Sequence, residues 1–394
     1  MSDEILDLAI VGGGLAGGLI ALAVRARRPD LSLALIEAGA SFGGNHRWSW
    51  FERDLPAAGS ALLDPFAKAQ WDDNEVRFPR YSRTLGAGYR SLGSRDFDAG
   101  LRRTLPQSTI RTGSRATRLA AGGVTLANGT YLAARRVIDC RDPGPSQHLT
   151  GGWQVFLGQH WRTFRPHGLP RPVIMDASVA QPGAYRFVYL LPLAPDEIFI
   201  EDTYYADSPA IDEPALRARI AAYAAARGWS GEVLDEETGA LPVITGGDFA
   251  AFRRGLEQPG VALAGARGGF VHPLTSYTMP IAVANALAIA DLAHLPGPAL
   301  ANAVAARATR HWADTGYYRL LGKMLFEAAL PSRRFEIFER FYRLPEPLIE
   351  RFYAARSTPL DKARILTGKP PVPVGRAVRA LLGKGAPLVH GDRR

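Results

Sequence analysis

The sequence predicts an α/β fold: a Rossmann-like nucleotide-binding domain, an inserted mixed β-sheet domain and a helical C-terminal region. Three observations predict it. An apolar run, Asp7-Leu8-Ala9-Ile10-Val11, ends in Gly12-Gly13-Gly14-Leu15-Ala16-Gly17, and a helix-forming stretch follows from Leu15 to Arg28. A second apolar strand, Leu33-Ala34-Leu35-Ile36, ends in Glu37. Strand-like segments between 153 and 245 are then followed by Val261-Ala262-Leu263-Ala264-Gly265, which reads as a return to the first sheet. In a G-x-G-x-x-G turn, Gly12 allows the sharp bend and Gly14 lets the backbone approach a pyrophosphate. Gly17, beside Ala16, lets helix and strand pack closely. An acidic residue about 20 positions on is the acceptor a ribose diol requires. These residues predict a bound dinucleotide. The expected division is 1–150 with 246–300, then 151–245, then 301–394.

Composition agrees. A chain of 394 residues exceeds one ordinary core and suggests packed substructures. Its 47% hydrophobic and 22% charged residues are those of a globular protein. The single cysteine, Cys140, excludes an internal disulfide and a zinc cluster and fits a reducing compartment. The N-terminus lacks the basic-then-apolar order of a signal peptide. The longest uncharged run, Gly268 to Ala290, is broken by Pro273, Pro280 and Asn285 and is read as buried chain, not a membrane span. The net charge of +9 is uneven: residues 301–394 carry +10 and the remainder −1. A basic C-terminal quarter is compatible with nucleic acid, an anionic membrane surface or a solvated helical face.

Beyond Glu37, the pair Gly43-Gly44 opens Gly43-Gly44-Asn45-His46-Arg47-Trp48-Ser49. A second glycine pair here resembles FAD-binding flavoproteins of the glutathione-reductase type, in which this loop covers the pyrophosphate. Asn45 replaces the arginine frequent in such loops. No second complete G-x-G-x-x-G follows, which argues against a built-in NAD(P) domain. From Ile110 to Arg141 the pattern is strand-like, and Asn128-Gly129 between Val124-Thr125-Leu126 and Tyr131-Leu132 predicts a hairpin. Val137-Ile138-Asp139-Cys140 reads as a strand returning to the nucleotide-binding sheet.

Gln154 to Gly158, Phe187 to Leu191 and Ile198 to Thr203 read as strands of the separate sheet, and Glu213 to Arg227 as an alanine-rich helix. The final parallel strand runs into Gly265, Gly268-Gly269 and a helix from Met279 to Leu292. Flavoproteins of this type hold the ribityl chain and isoalloxazine at such a turn, where many carry Gly-Asp; Ala266 occupies the aspartate position. In the last hundred residues Tyr317, Tyr318, Phe326, Phe335, Phe338, Phe341, Tyr342, Phe352 and Tyr353 recur at helical spacings among arginines. Core packing and membrane-surface docking both account for this pattern.

Assembled, these blocks resemble the bacterial lycopene β-cyclases of carotenoid synthesis nearly end to end. The specific blocks are Gly43-Gly44-Asn45-His46-x-Trp48-Ser49, Phe187-Val188-Tyr189-x-Leu191-Pro192-Leu193 and Ile200-Glu201-Asp202-Thr203-x-Tyr205. Gly239-Ala240-Leu241-Pro242 and Phe270-x-His272-Pro273 with Thr275, Tyr277 and Pro280 continue the set. Arg340-Phe341-Tyr342-x-Leu344-Pro345 and Leu366-x-Gly368-Lys369-Pro370-Pro371-Val372-Pro373-Val374 close it. Arg47 stands where family members carry threonine.

The resemblance implies FAD in its reduced form, with NAD(P)H as external reductant, and a non-redox cyclisation of the linear ends of lycopene or other acyclic carotenoids. A carboxylic acid would protonate the end group, the cation would close a ring and a ring proton would leave. Glu201 and Asp202 are the catalytic candidates. As neighbours in a strand they point to opposite faces, so at most one enters a pocket. A glutamate among Ile198, Phe199 and Ile200 has its pKa raised by desolvation, which suits an acid. Glu201 matches the family's essential carboxylate. Trp48, Trp50, Tyr205 and Tyr277 are candidates for stabilising the cation, with His46 and His272 as proton shuttles. A membrane-resident polyene implies a peripheral, monotopic enzyme on the cytoplasmic side, bound to an anionic membrane surface and with no nucleic-acid partner. Two alternatives share the glycine motifs: a flavin oxidoreductase acting on isoprenoid lipids, and a non-catalytic isoprenoid-binding flavoprotein.

Overall fold

A computed structural model describes residues 5–367 and 374–389 of the chain. Asp3, Glu4 and the 368–373 part of the C-terminal motif lie outside the described residues. In chain order the elements that position the site begin with β1 (Leu8–Val11), α1 (Leu15–Arg27), β2 (Leu33–Ile36) and β3 (Arg47–Phe51). Then come β4 (Asn74–Phe78), β5 (Tyr81–Leu85), β6 (Ile110–Arg111), β7 (Val137–Asp139), β8 (Ser146–Thr163) and β9 (Val173–Asp176). β10 (Tyr185–Ala194), β11 (Glu197–Ala206), α2 (Glu213–Ala225), β12 (Gly231–Gly247) and β13 (Val261–Leu263) follow. The chain then turns helical in α3 (Met279–Leu292), α4 (Gly297–Asp314), α5 (Gly316–Lys323), α6 (Arg334–Phe341), α7 (Glu346–Tyr353) and α8 (Val374–Leu382).

The first sheet is parallel, in the order β13-β7-β1-β2-β6. All four residues of β1 and of β2 are buried, as expected of parallel strands covered on both faces. Helices α1 and α3 pack together against this sheet, and Leu19, Ile20, Val283, Ala286 and Ile289 share its core. The sequence-predicted hairpin forms: Gly129 adopts φ +85°, and the Asn128 side-chain oxygen accepts from the Thr130 N–H at 3.0 Å.

The second sheet is mixed and runs β12-β8-β11-β10-β9-β4-β5. Its β4 and β5 precede the 151–245 segment expected to form it, β8 begins before that segment, and a short Pro387–Leu388 strand also pairs with β8. The reason is visible in β4, where Asn74, Val76 and Phe78 are buried and the intervening Glu75 and Arg77 are not. Five residues with two charges give a weak strand signal in isolation; only an existing sheet edge makes their alternation worth burying. One face of this sheet packs against α2, whose first turn is capped by Asp212 accepting from the Ala215 N–H at 3.1 Å. The other face meets α6, α7 and the small sheet that contains β3. A cavity lies between them.

Candidate functional site

The nucleotide end is built by three glycine turns. Gly17 is obligatory, because a Cβ there would lie 1.9 Å from the Gly12 carbonyl oxygen. Gly265, at φ +59°, brings the turn after β13 so close to α1 that a Cβ would meet the Ala16 methyl at 2.8 Å. The turns from opposite ends of the domain therefore meet at the start of α1. Gly43 donates its N–H to the Gly13 carbonyl at 2.9 Å, which ties the Gly43-Gly44 loop to the same point. Gly268 and Gly269 continue the turn opened by Gly265.

These residues fit a dinucleotide. Gly14 caps α1 without a side chain bonded to the first-turn N–H groups, and its missing Cβ faces open space. That leaves bare amides and the positive end of the helix dipole for an anion. The Glu37 carboxylate is held by the N–H groups of Gly13 and Gly39, each at 2.7 Å, with lone pairs left for ribose hydroxyls. Arg267 is engaged elsewhere: it pairs with Asp139 at 2.8 Å and donates to the Asp142 carbonyl at 2.7 Å. Ala266, in place of an aspartate, contributes no polar group.

Beyond this end lies a cavity of about 310 Å³ walled by aromatic side chains, among them Trp48, Tyr89, Tyr205, Tyr277, Phe338 and Tyr353. Its lining also carries Arg47, the carboxyls of Glu201 and Glu237, and the His46 imidazole, whose pKa burial lowers. Such a surface is apolar, π-rich and sparingly charged, which suits a hydrophobic substrate that becomes cationic.

Strand pairing decides which carboxylates face this space. On β11, Glu201 stands opposite Gly158 of β8 and Tyr189 of β10, on the cavity face. Burial raises its pKa to about 7, against the hydrogen bond that the Thr203 hydroxyl donates to it. Asp202 faces the other way. Fully buried, it pairs with Arg186 beneath the sheet, on the face packed by α2. The expectation that at most one of the two enters the pocket is met, and the catalytic candidacy of Asp202 falls with its placement.

The other candidates divide similarly. His46, Trp48, Tyr205 and Tyr277 line the cavity. Tyr277 donates its hydroxyl to Asp54 and accepts from the Phe51 N–H, both at 2.7 Å, so its ring orientation is locked. His272 is not in the cavity lining. Its Nε2 donates to the Phe352 carbonyl at 3.0 Å while Nδ1 accepts from the N–H groups of Leu274 and Thr275. Burial depresses its pKa to about 3, so it is a neutral clamp between α7 and the turn after β13 and not a proton shuttle. Trp50 is buried in the first core, away from the cavity.

Two cavity residues lay beyond sequence reasoning. Glu237 sits in Asp235-Glu236-Glu237, a charge cluster that reads as a solvated edge; only its register opposite Gly158 of β8 turns Glu237 inward, where it is 8% exposed. Arg47 is visible in sequence only as a departure from the expected threonine. It is half-buried at the start of β3, with its guanidinium 5.3 Å from the Phe199 ring centroid and donating to the Ser91 hydroxyl.

The terminal aromatics face inward: Tyr318, Phe338, Tyr342 and Phe352 are buried. Among the described residues no helix is long and apolar enough to cross a membrane, and no cluster of three metal-ligating side chains exists.

Residues 7–379 match the family described as "Lycopene cyclase protein". The chain is 48% identical over 377 residues to a lycopene beta-cyclase of Pseudescherichia vulneris, covering 95% of this chain and 97% of that protein. It is 45% identical to a lycopene beta-cyclase of Paracoccus sp. (strain N81106 / MBIC 01143), again over 95% of this chain and 97% of the relative. Its fold is similar to that of a probable FAD-dependent monooxygenase from Pseudomonas aeruginosa, at a TM-score of 0.55 and 15% identity, covering 84% of this chain and 99% of that one. A match of this length, over both the nucleotide turn and the aromatic cavity, means that the chain belongs to the lycopene cyclase family.

Proposed function

We propose that the protein is a lycopene β-cyclase of carotenoid biosynthesis, an FAD-dependent enzyme that closes the linear ends of lycopene into β rings without net redox change. The observation that carries the chemistry is Glu201, a carboxyl whose protonated form persists to about pH 7 in an aromatic cavity. Protonation of the terminal double bond by Glu201 places a proton on C2 and a cation on C1. The C5–C6 π electrons then form the C1–C6 bond, and the cation moves to C5. Loss of the C6 proton returns its electron pair as the new C5–C6 double bond. One proton enters and one leaves, so the formula is unchanged.

The chain supplies what these steps require. Trp48, Tyr205 and Tyr277 offer π faces to the cation, and their apolar bodies exclude the water that would trap it. Reduced FAD, when bound at the Gly12–Glu37 end, supplies an electron-rich anionic neighbour to the cationic intermediate. NAD(P)H serves as external reductant. Peripheral docking on an anionic membrane is part of the proposal, since a C40 polyene resides in the bilayer. Leu360, Leu366 and Leu382 are exposed on the basic C-terminal helices and support this reading.

The test is anaerobic turnover of lycopene in liposomes with dithionite-reduced FAD in D₂O, followed by mass spectrometry. One deuterium per ring, at C2, with no net flavin oxidation is expected. Flavin oxidation stoichiometric with a product of altered hydrogen count would overturn the cyclase in favour of a lipid oxidoreductase.

A further inference from the structure

Acid-initiated cyclisation needs a group to take the ring proton away, and the cavity holds a second carboxylate for which the protonation step has no use. Glu237 on β12 and Glu201 on β11 stand opposite the same residue, Gly158, on the intervening β8. Residues directly opposite across a ladder project to one face, and two strand spacings of about 5 Å separate the pair. Between them Gly158 carries no side chain, and the Phe199 ring covers it: a Cβ there would lie 2.3 Å from that ring. The two carboxyls thus line one cavity from either side of this glycine.

Arg47 lines the same cavity as the pair. It reaches in from β3 and stands over the Phe199 ring. Among the charges favouring its ionised form Glu237 is foremost, followed by Tyr189, Asp96 and Asp235, and Arg47 in turn favours the ionised form of both Glu237 and Glu201.

We propose that Glu237 is the proton acceptor of the cyclisation, with Arg47 as the positioning residue that favours a negative charge on the pair. The inference rests on the cyclase reading. In each ring closure Glu201 gives its proton to C2 and becomes a carboxylate. Glu237 takes the C6 proton and becomes a carboxylic acid, while the C6–H electron pair becomes the π bond. The two carboxyls hold one proton before and after, and its return from Glu237 to Glu201 resets the site.

Burial pushes both groups upward, Glu201 to about 7 and Glu237, with the charge of Glu201 added, to about 8, so that near neutral pH the pair shares a proton. Arg47 opposes this at both, and Asp235, on the strand of Glu237 itself, adds to its rise. On the neighbouring elements His160, Tyr189 and Asp96 bear on Arg47 or on Glu201. Two carboxyls that cannot both ionise freely share a proton as one acid and one base.

The experiment compares wild type, Glu237→Gln, Glu237→Asp and Arg47→Gln as FAD-loaded full chains on lycopene liposomes with reduced flavin. Product rings are analysed by type across pH. Glu237→Gln is expected to lose about 100-fold or more in turnover. Its residual product should shift from β rings toward ε or exocyclic rings or hydrated products, because the C5 cation then loses another proton or captures water. Glu237→Asp should restore β rings in part. Arg47→Gln should move the acid limb of the pH profile upward, a readout that stands even if Glu237→Gln fails to fold.

Glu237→Gln turning over within about 3-fold of wild type with β rings alone would overturn the assignment. An unmoved acid limb in Arg47→Gln would also overturn it. Wild type that forms no rings at all would instead sink the cyclase reading itself.

Discussion

At the scale of single residues, the site is an exercise in which way a side chain points. Glu201 and Asp202 are adjacent acids with opposite fates: one opens onto an aromatic cavity, the other is neutralised by Arg186 under the sheet. Glu201→Gln keeps the shape and removes the proton. Turnover is expected to fall by about 10²- to 10⁴-fold with FAD content and thermal melting unchanged; steady-state assays beside flavin absorbance check this. Because burial lifts Glu201 to about 7, the wild-type rate should decline as pH rises through 7, where the acid form is lost. The same logic separates the histidines. His46 borders the cavity, whereas His272, with both ring nitrogens bonded to the backbone, is committed to holding α7 in place.

At the scale of elements, the local grammar of the chain was readable wherever the signal is local. The βαβ turn, the Asn128-Gly129 hairpin, the alanine-rich helix α2 and the apolar helix α3 all follow from short stretches whose glycine pattern, turn chemistry or periodicity needs no partner. Strands β4 and β5 did not, since their alternation is short and charged and acquires meaning only at an existing sheet edge. The C-terminal aromatics carry a helical period that fits either a core or a membrane. Phe338 and Tyr342, both buried, wall the cavity, and Phe352 is buried in the core beside them.

The exposed apolar residues are different ones, Val378, Leu381 and Leu382 on α8, beside Arg376 and Arg379. Replacing Leu381 and Leu382 with glutamate should weaken co-sedimentation with anionic vesicles by about 10-fold or more, while leaving detergent-supported cyclisation within about 2-fold. Undiminished vesicle binding would assign membrane contact to another surface.

At the scale of the whole molecule, buried carboxyls in and beside the cavity constrain stability as well as chemistry. Asp54 is 2% exposed; it accepts from Tyr277, and burial raises it to about 7, far above an unfolded aspartate near 3.9. A raised folded pKa contributes stability that is complete below the unfolded pKa and is lost as pH rises through the folded value. The melting temperature should therefore fall between pH 6 and 8. Asp54→Asn should flatten that fall by about 1 kcal/mol relative to wild type. A pH profile of Asp54→Asn parallel to that of wild type would mean that Asp54 is already ionised in the folded protein. His272 acts in the opposite sense at lower pH: with its folded pKa near 3, its contribution is lost as pH falls below 6.5.

The sequence alone determined what depends on neighbours along the chain. The Gly12–Gly17 turn, Glu37 and the Gly43-Gly44 loop define a nucleotide site because backbone conformation and close approach are properties of a few consecutive residues. The strand around Glu201 placed a carboxyl among apolar residues because alternation is written in the chain itself. Only the tertiary structure decided which residues share the cavity. Glu237 joins Glu201 because β12 and β11 meet on either side of Gly158, Arg47 because β3 crosses above them, and the aromatic helices because they close the far wall. Side chains brought together by strand register lie tens of residues apart in the chain, and the energy of their burial and mutual charge exists only once the sheet has formed.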